Sequence, residues 1–481
     1  VASTSIARPS PPALPFLAGA RPVAVGVCAA LTGLAAALTV AQPLMAIGLF
    51  AAGGCVVLAF AAPVTHLTLL LVLTAVVGGD LQNRIGGPLM PSDALLLAGL
   101  LRAAVVVLGS RIEPRRLLVA GLMTVFMGAI VLQALHGLKA GADSSQVGAE
   151  GRELLDFGTL LIAMPIVADP AGRARLARGL VVVGLALGLW GLAVWGLGIQ
   201  VGENVDVGLR SAQPFATSGA GQLHGGLYGY PVTTVMAATV LLSGGVRRGW
   251  ARWSLLAVLA TNATCLILTY ERTFWMTTLV TLGFVVAKLD RGRRLRAVTA
   301  IVVAGVAALG VLATTSPADL IAIRDRALSL AKPSSDNSVR YRVVETRHVL
   351  ARIKAKPVTG WGLGNTIHWG RPWQQVPPRS AWFAHNGYLW VIWKAGALAA
   401  ALLFALVGWA VLLRAPPERD PLLRPLRIAA QGGLLVLLLS SITFPAFNAI
   451  SITAVMGVLM AICFAPRSST AARGSVAARR P

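Results

Sequence analysis

The chain is a succession of apolar runs with its charges pushed into the gaps between them. Runs near 22–40, 42–60, 64–78, 93–110, 117–136, 157–168, 180–198 and 229–246 are followed by others near 254–270, 274–288, 297–314, 387–413, 428–445 and 449–464. In hydrocarbon every backbone N–H and C=O must be satisfied within the segment, which leaves the helix as the solution for runs of this kind. Roughly 20 apolar residues of helix cross the core of a bilayer. The pattern therefore predicts an all-α, polytopic transmembrane helical bundle of about 12–14 spans, with 64–78 and 157–168 the shortest for the task. Composition agrees, because 56% of the residues are hydrophobic and 12% charged, where a soluble domain carries about 25% charged residues.

Lys and Arg set the expected orientation. With the N-terminal side inside, the short loops carrying Arg111, Arg115 and Arg116, then Arg173, Arg175 and Arg178, then Arg247, Arg248 and Arg252 all face the cytoplasm. So do Arg291–Arg296, Arg414–Arg427 and the stretch from Arg467 to Arg480, which puts both termini inside. The segment Thr315–His385 breaks the pattern with eleven Lys/Arg against four acids, but its 71 residues exceed the ~60 within which loop charge decides orientation. It is expected outside. The resulting organisation is a cytoplasmic N-terminal stretch 1–20, a transmembrane bundle 21–314, a large external loop 315–385, C-terminal transmembrane helices 386–465 and a basic cytoplasmic tail 466–481. Further external stretches are expected at Gly79–Ser92, Gly137–Asp156 and Gly198–Tyr228. The net charge of +24 follows from the inside bias and suits anionic lipid headgroups; nucleic acid is not an expected partner. The four cysteines fall in apolar runs without metal-ligand spacing and read as small core residues.

The long external loop concentrates the chemistry. Ser338–Lys356 places Val339, Val343, Leu350 and Ile353 on one stripe at 100° per residue, which predicts an amphipathic helix ended by Pro357. It is expected on the membrane surface or over the mouth of the bundle. Arg340, Arg347 and Lys354 share its headgroup-facing side, while Arg342, about 200° from Arg340, is expected to turn inward. Gly360, Gly362 and Gly364 permit a tight turn after the helix, and Trp361, Trp369, Trp373 and Trp382 are expected as interfacial anchors. His385 stands just before an apolar run. With a pKa near neutral, an imidazole can accept a proton from an attacking hydroxyl. Lys394, nine residues on, lies at membrane depth and is expected to pair with a neighbouring span or a lipid phosphate. Arg272, in the very short turn Tyr270–Thr273 between two spans, is a planar fork suited to phosphate oxygens. All eighteen Asp/Glu fall in expected loops or at span ends, which argues against an ion-coupled carrier and against a carboxylate cluster for a metal.

These pieces together resemble the O-antigen ligase and O-antigen polymerase superfamily of bacterial membrane glycan transferases. The likeness lies in Arg272 of the turn YERTFW, the SVRYR helix start ending at Arg342, the turn with Pro357, Gly360 and Gly362, and the Ala-His-Asn-x-Tyr-Leu entry from Ala384 to Leu389. It covers roughly 265–400 and departs at Thr346, where an aromatic is usual, and at Glu271-Arg272-Thr273, where Ser/Thr-Arg-Gly is usual. The resemblance implies a protein of the bacterial cytoplasmic membrane, with a glycan donor on undecaprenyl diphosphate and a lipid or glycan acceptor on the outer face. It implies Arg272 and Arg342 on the diphosphate and His385 as base, giving inversion without metal or cofactor. Arg340, Arg210, Asn386 and Tyr388 are expected to contact substrate. Ligase and polymerase differ only in the acceptor, and a flippase of lipid-linked glycans is the alternative of another class.

Overall fold

The computed structural model describes residues 43–77, 90–109, 113–197, 209–210, 222–223, 228–246, 249–299, 337–371, 376–414 and 420–466, with isolated helical positions at 26, 30, 321 and 324. The expected span 22–40, most of 297–314, the N-terminal stretch, the tail beyond 466 and most of the external stretches 79–92 and 198–228 lie outside the described residues.

The fold is an all-α polytopic bundle. Its helices are α1 (Pro43–Ala61), α2 (Pro63–Val72), α3 (Pro91–Gly109), α4 (Pro114–Lys139), α5 (Ser144–Leu155), α6 (Thr159–Ala168), α7 (Pro170–Gly196), α8 (Gly229–Leu242), α9 (Trp250–Leu268), α10 (Arg272–Lys288), α11 (Asn337–Ala355), α12 (Gly387–Leu412), α13 (Leu423–Ser440) and α14 (Ile450–Cys463). Two short antiparallel pairs accompany them: β1 (Leu209–Arg210) with β2 (Gln222–Leu223), and β3 (Ile367–Arg371) with β4 (Val376–Ala381). Proline opens several helices, at Pro63, Pro114 and Pro170, where its missing N–H leaves no bond unmade. Asp143 and Asp169 cap α5 and α7 by accepting from the free amides of the first turn. Among the described residues six helices are long and apolar enough to cross a membrane, α3, α4, α7, α9, α12 and α13, and shorter apolar helices lie at Ala51–Ala61, Pro63–Val77, Gly229–Leu242 and Ser451–Cys463. This is an integral membrane protein.

Burial separates centre from periphery. The apolar stretch of α13 is 78% buried inside the protein and that of α4 only 28%, so α13 is a central helix and α4 presents Val125, Leu132 and Leu135 to lipid. Close approach of α7 to α9 relies on small residues. Gly184 and Gly188 lie against Val258, Thr261 and Asn262, and Asn262 Nδ2 donates to the Gly184 carbonyl at 2.8 Å, the mode of packing expected where hydrophobic attraction between helices is absent.

Two expectations are corrected by the structure. The stretch Gly137–Asp156 is not an open external loop: it forms α5, whose Val147, Glu150, Gly151 and Leu154 are buried. The acids are likewise not confined to open loops, because Glu150 is 0% and Asp156 2% exposed. Burial pushes the Glu150 carboxyl up, and Lys394 opposes that shift. Helix α11 forms where the amphipathic helix was expected. Its stripe of Val339, Val343 and Leu350 faces outward at 37%, 47% and 39% exposure, while Glu345 and Val349 are the buried face. On this helix the buried side is taken by a carboxylate with partners inside, Glu345, which binds His385. Arg340, Arg347 and Lys354 are exposed on the outer side.

The glycine turn does more than reverse the chain. Helix α12 breaks at Gly396 (φ 81°, ψ 165°), which strips the Trp393 and Lys394 carbonyls of their helical donors. The turn supplies replacements: Trp361 N donates to Trp393 O at 2.9 Å, Gly362 N to Lys394 O at 3.1 Å, and Ala397 N donates back to Pro357 O at 3.0 Å. Leu363 N donates to Gln133 O of α4 at 3.1 Å. Gly360, Gly362 and Gly364 all have positive φ. A Cβ on Gly360 would stand 2.5 Å from Gly396 N, and one on Gly362 2.6 Å from Gly137 N. Lys394, at 0% exposure, completes the clasp by donating to Glu150 Oε1 at 2.5 Å and to the Asn365 carbonyl at 2.6 Å, while Gly364 N donates to Glu150 Oε2 at 2.7 Å. Its partner is therefore a helix of the stretch read as a loop. Gly360→Ala is expected to destabilise the protein by about 1–3 kcal/mol, the cost of a left-handed non-glycine conformation, before any clash is relieved. Gly128→Ala, with open space around its Cβ, serves as the neutral control. Thermal unfolding of both in one detergent checks the difference.

Candidate functional site

Arg272 is delivered by a tight reversal. Tyr270, with φ 51°, is the one non-glycine residue of positive φ among those described, and Arg272 is the first residue of α10 two positions later. The start of α10 is tied across the bundle to the chain after α13. Thr443 Oγ1 donates to Thr273 Oγ1 at 3.0 Å, and the Phe274 and Phe444 rings lie 4.8 Å apart. Tyr228 closes this aromatic group with ring distances of 5.5 Å to Phe274 and 6.4 Å to Phe444.

Arg342, on α11, reaches the same group. Its guanidinium carbon stands 5.2 Å from the Phe444 ring centroid, a cation–π contact. Its Nε is enclosed and makes no hydrogen bond. Phe444 thus bears Arg342 on its face and packs on the residue two places after Arg272. Arg272 and Arg342 are both half-buried.

His385 is held on the neighbouring turn of α11. The hairpin β3–β4 carries the chain from the glycine turn to Ala381, and His385 follows before α12 begins. Glu345, 1% exposed, lies 3.1 Å from His385 Nδ1 through each carboxylate oxygen, and its Oε2 also accepts from the His385 backbone N–H at 2.8 Å. Tyr341 meets the imidazole edge-on at 5.2 Å and Phe383 lies 5.3 Å away at 58°. The imidazole keeps 23% exposure. Arg342 and Glu345 are three residues apart on one helix, so they share a side of it. One helix therefore presents a guanidinium and the carboxylate that grips the histidine.

The other expected contacts fall elsewhere. Asn386 caps α12, its Oδ1 accepting from Leu389 N at 3.0 Å, and the Tyr388 hydroxyl donates to the Leu438 carbonyl at 2.7 Å within a cluster with Phe404 and Phe447. Both make these bonds within the bundle itself. Arg340 is exposed on the outer side of α11. Arg210 lies opposite Gln222 in the β1–β2 pair, and its side chain lies outside the described residues. Trp361 sits between Arg352 and Lys356 at 4.4 Å and 4.3 Å, with its indole N–H donating to the Arg352 carbonyl at 2.8 Å; the Trp369 and Trp373 side chains lie outside the described residues. Among the described residues no three His, Cys, Asp or Glu side chains gather as a ligand set. Sequence reasoning missed Glu345 and Phe444. Glu345 had a signal, three positions from Arg342 on a predicted helix, whereas Phe444 lies about a hundred residues away with no pattern around it.

Residues 255–404 match the family model described as O-antigen ligase, and the match supports the O-antigen ligase superfamily. This stretch contains Arg272, Arg342, Glu345 and His385. No curated protein matches the chain.

Proposed function

Proceeding from the O-antigen ligase match of residues 255–404, which points to a membrane enzyme of the ligase and polymerase kind in polysaccharide biosynthesis, we propose that the protein transfers a glycan from undecaprenyl diphosphate to an acceptor hydroxyl. The transfer takes place on the outer face of the bacterial cytoplasmic membrane. The observation that carries this reading is the convergence of two arginine-bearing elements on Phe444 beside a carboxylate-held histidine.

The acceptor hydroxyl attacks the anomeric carbon from the face opposite the diphosphate. Its proton passes to His385 Nε2, the new glycosidic C–O bond forms, and the old C–O bond breaks with its electron pair going to the diphosphate oxygen. One displacement gives inversion. Arg272 and Arg342 bind the diphosphate through planar forks and stabilise the charge that grows on the leaving oxygen, where one preorganised donor contributes about 2.7–4 kcal/mol. Metal is not required in this scheme, so transfer is expected to continue in EDTA.

Arg342→Lys keeps the charge but loses the fork and the stacking on Phe444. Loss of one charged hydrogen bond, about 1.5–3 kcal/mol, predicts kcat/KM for the donor lowered roughly 10–100-fold. Steady-state transfer with a lipid-diphosphate glycan measures it, and an unchanged kcat/KM removes Arg342 from the site. Running the assay with a lipid A core acceptor and with a second lipid-linked repeat separates ligase from polymerase. A protein that moves the donor between leaflets and forms no glycosidic bond is a flippase.

A further inference from the structure

We propose that Glu345 is the positioning residue for His385, setting its tautomer and ring angle so that Nε2 carries the free lone pair; this rests on the reading of His385 as the base. Both Glu345 oxygens stand 3.1 Å from Nδ1, and Oε2 is fixed independently by the His385 backbone N–H at 2.8 Å. The backbone bond prevents the carboxyl group from turning away, and its burial at 1% exposure leaves no water to compete. An ionised carboxylate only accepts. The proton on the imidazole is therefore held at Nδ1, and Nε2 is left as the acceptor on the partly exposed edge. Tyr341 and Phe383 flank the ring at 5.2 Å and 5.3 Å and restrict its rotation. Because Arg342 lies one turn away on α11, a single rigid element fixes both the leaving-group arginine and the orientation of the base, which is how precise sites are held.

Glu345→Gln separates this role from space filling. The amide has nearly the same shape but a single oxygen, so once the His385 N–H is satisfied its NH2 faces Nδ1. That stabilises the opposite tautomer, with the proton on Nε2 and no lone pair for the acceptor. The expected result is kcat lowered about 10²–10⁴-fold, the range for loss of a general base, with the donor KM within about threefold of the parent. Glu345→Asp, which remains acceptor-only, is expected to recover at least about tenfold over the glutamine form. A Gln variant within about threefold of the parent kcat overturns the proposal. So does a loss carried by KM, or an Asp variant no better than Gln. Should the Gln variant not elute as a folded species in detergent, Glu345→Asp decides alone: lowered kcat at unchanged KM supports the role and full kcat overturns it. His385→Ala run alongside distinguishes the two levels. If it transfers at the parent rate, His385 is not the base; if it is inactive while Glu345→Gln is fully active, only the role of Glu345 falls.

Discussion

His385→Ala is expected to lower kcat for glycan transfer about 10²–10⁴-fold, the contribution of a positioned general base, while the donor KM stays within about threefold. The separation follows from the geometry. The arginines that would hold the diphosphate stand on α10 and α11, whose Phe274 and Arg342 both contact Phe444, whereas the imidazole is gripped by Glu345 and flanked by Tyr341 and Phe383. Removing the imidazole leaves the arginines and their aromatic support in place. Residual transfer is expected, because stabilising the leaving group still accelerates the reaction without a base. Steady-state rates over a range of donor concentrations, on protein shown to be monodisperse, check the split. Loss of donor binding in step with kcat would instead make His385 a binding or structural residue.

The second large effect is on stability. Lys394 and Glu150 are each 0% exposed and lie 2.5 Å apart, and removal of one member of such a pair leaves the other charge buried without its counter-ion. Breaking a buried pair this way costs about 3–5 kcal/mol, so Lys394→Met is expected to lower the apparent melting temperature in detergent sharply. Glu150→Gln combined with Lys394→Met is expected to recover part of the loss. It removes both charges, and the Gln oxygen still accepts from Gly364 N, the bond Glu150 Oε2 makes. The recovery stays incomplete because the Asn365 carbonyl, bound by Lys394 at 2.6 Å, loses its donor. A Lys394→Met protein as stable as the parent would show that the clasp between α5, the glycine turn and α12 contributes little.

The bundle was legible because its signal is local. A run such as 117–136 or 387–413 names its own conformation, and α4 and α12 form there. Arg272 and His385 were legible for a related reason: each breaks an apolar context at the end of a span, so charge and position isolate them. What stayed hidden depends on pairing across long separations. Gly360 and Gly362 announce positive φ, but nothing local says that the Trp361 and Gly362 amides cap a broken helix more than thirty residues on. Lys394 signals a need for a partner, and the partner is Glu150, in a stretch polar enough to read as loop. The buried side of α11 stayed hidden because the stripe of Val339, Val343 and Leu350 is visible in sequence while the attraction of Glu345 to His385 is not. Asn386 as the cap of α12 and Tyr388 as donor to the Leu438 carbonyl likewise depend on the helix packing that forms around them.

The central claim is that this chain's own side chains transfer a glycan from a polyprenyl diphosphate. The most direct measurement incubates the purified protein with a lipid-diphosphate glycan and an acceptor in EDTA, and quantifies glycosylated acceptor and released undecaprenyl diphosphate together. The two are expected in equal amounts, with an inverted anomeric linkage, and both are expected to fall together, about 100-fold or more, in the Arg272→Ala, Arg342→Ala and His385→Ala proteins. Product formed undiminished by those three variants, or release of the diphosphate with no new glycosidic bond, would contradict it.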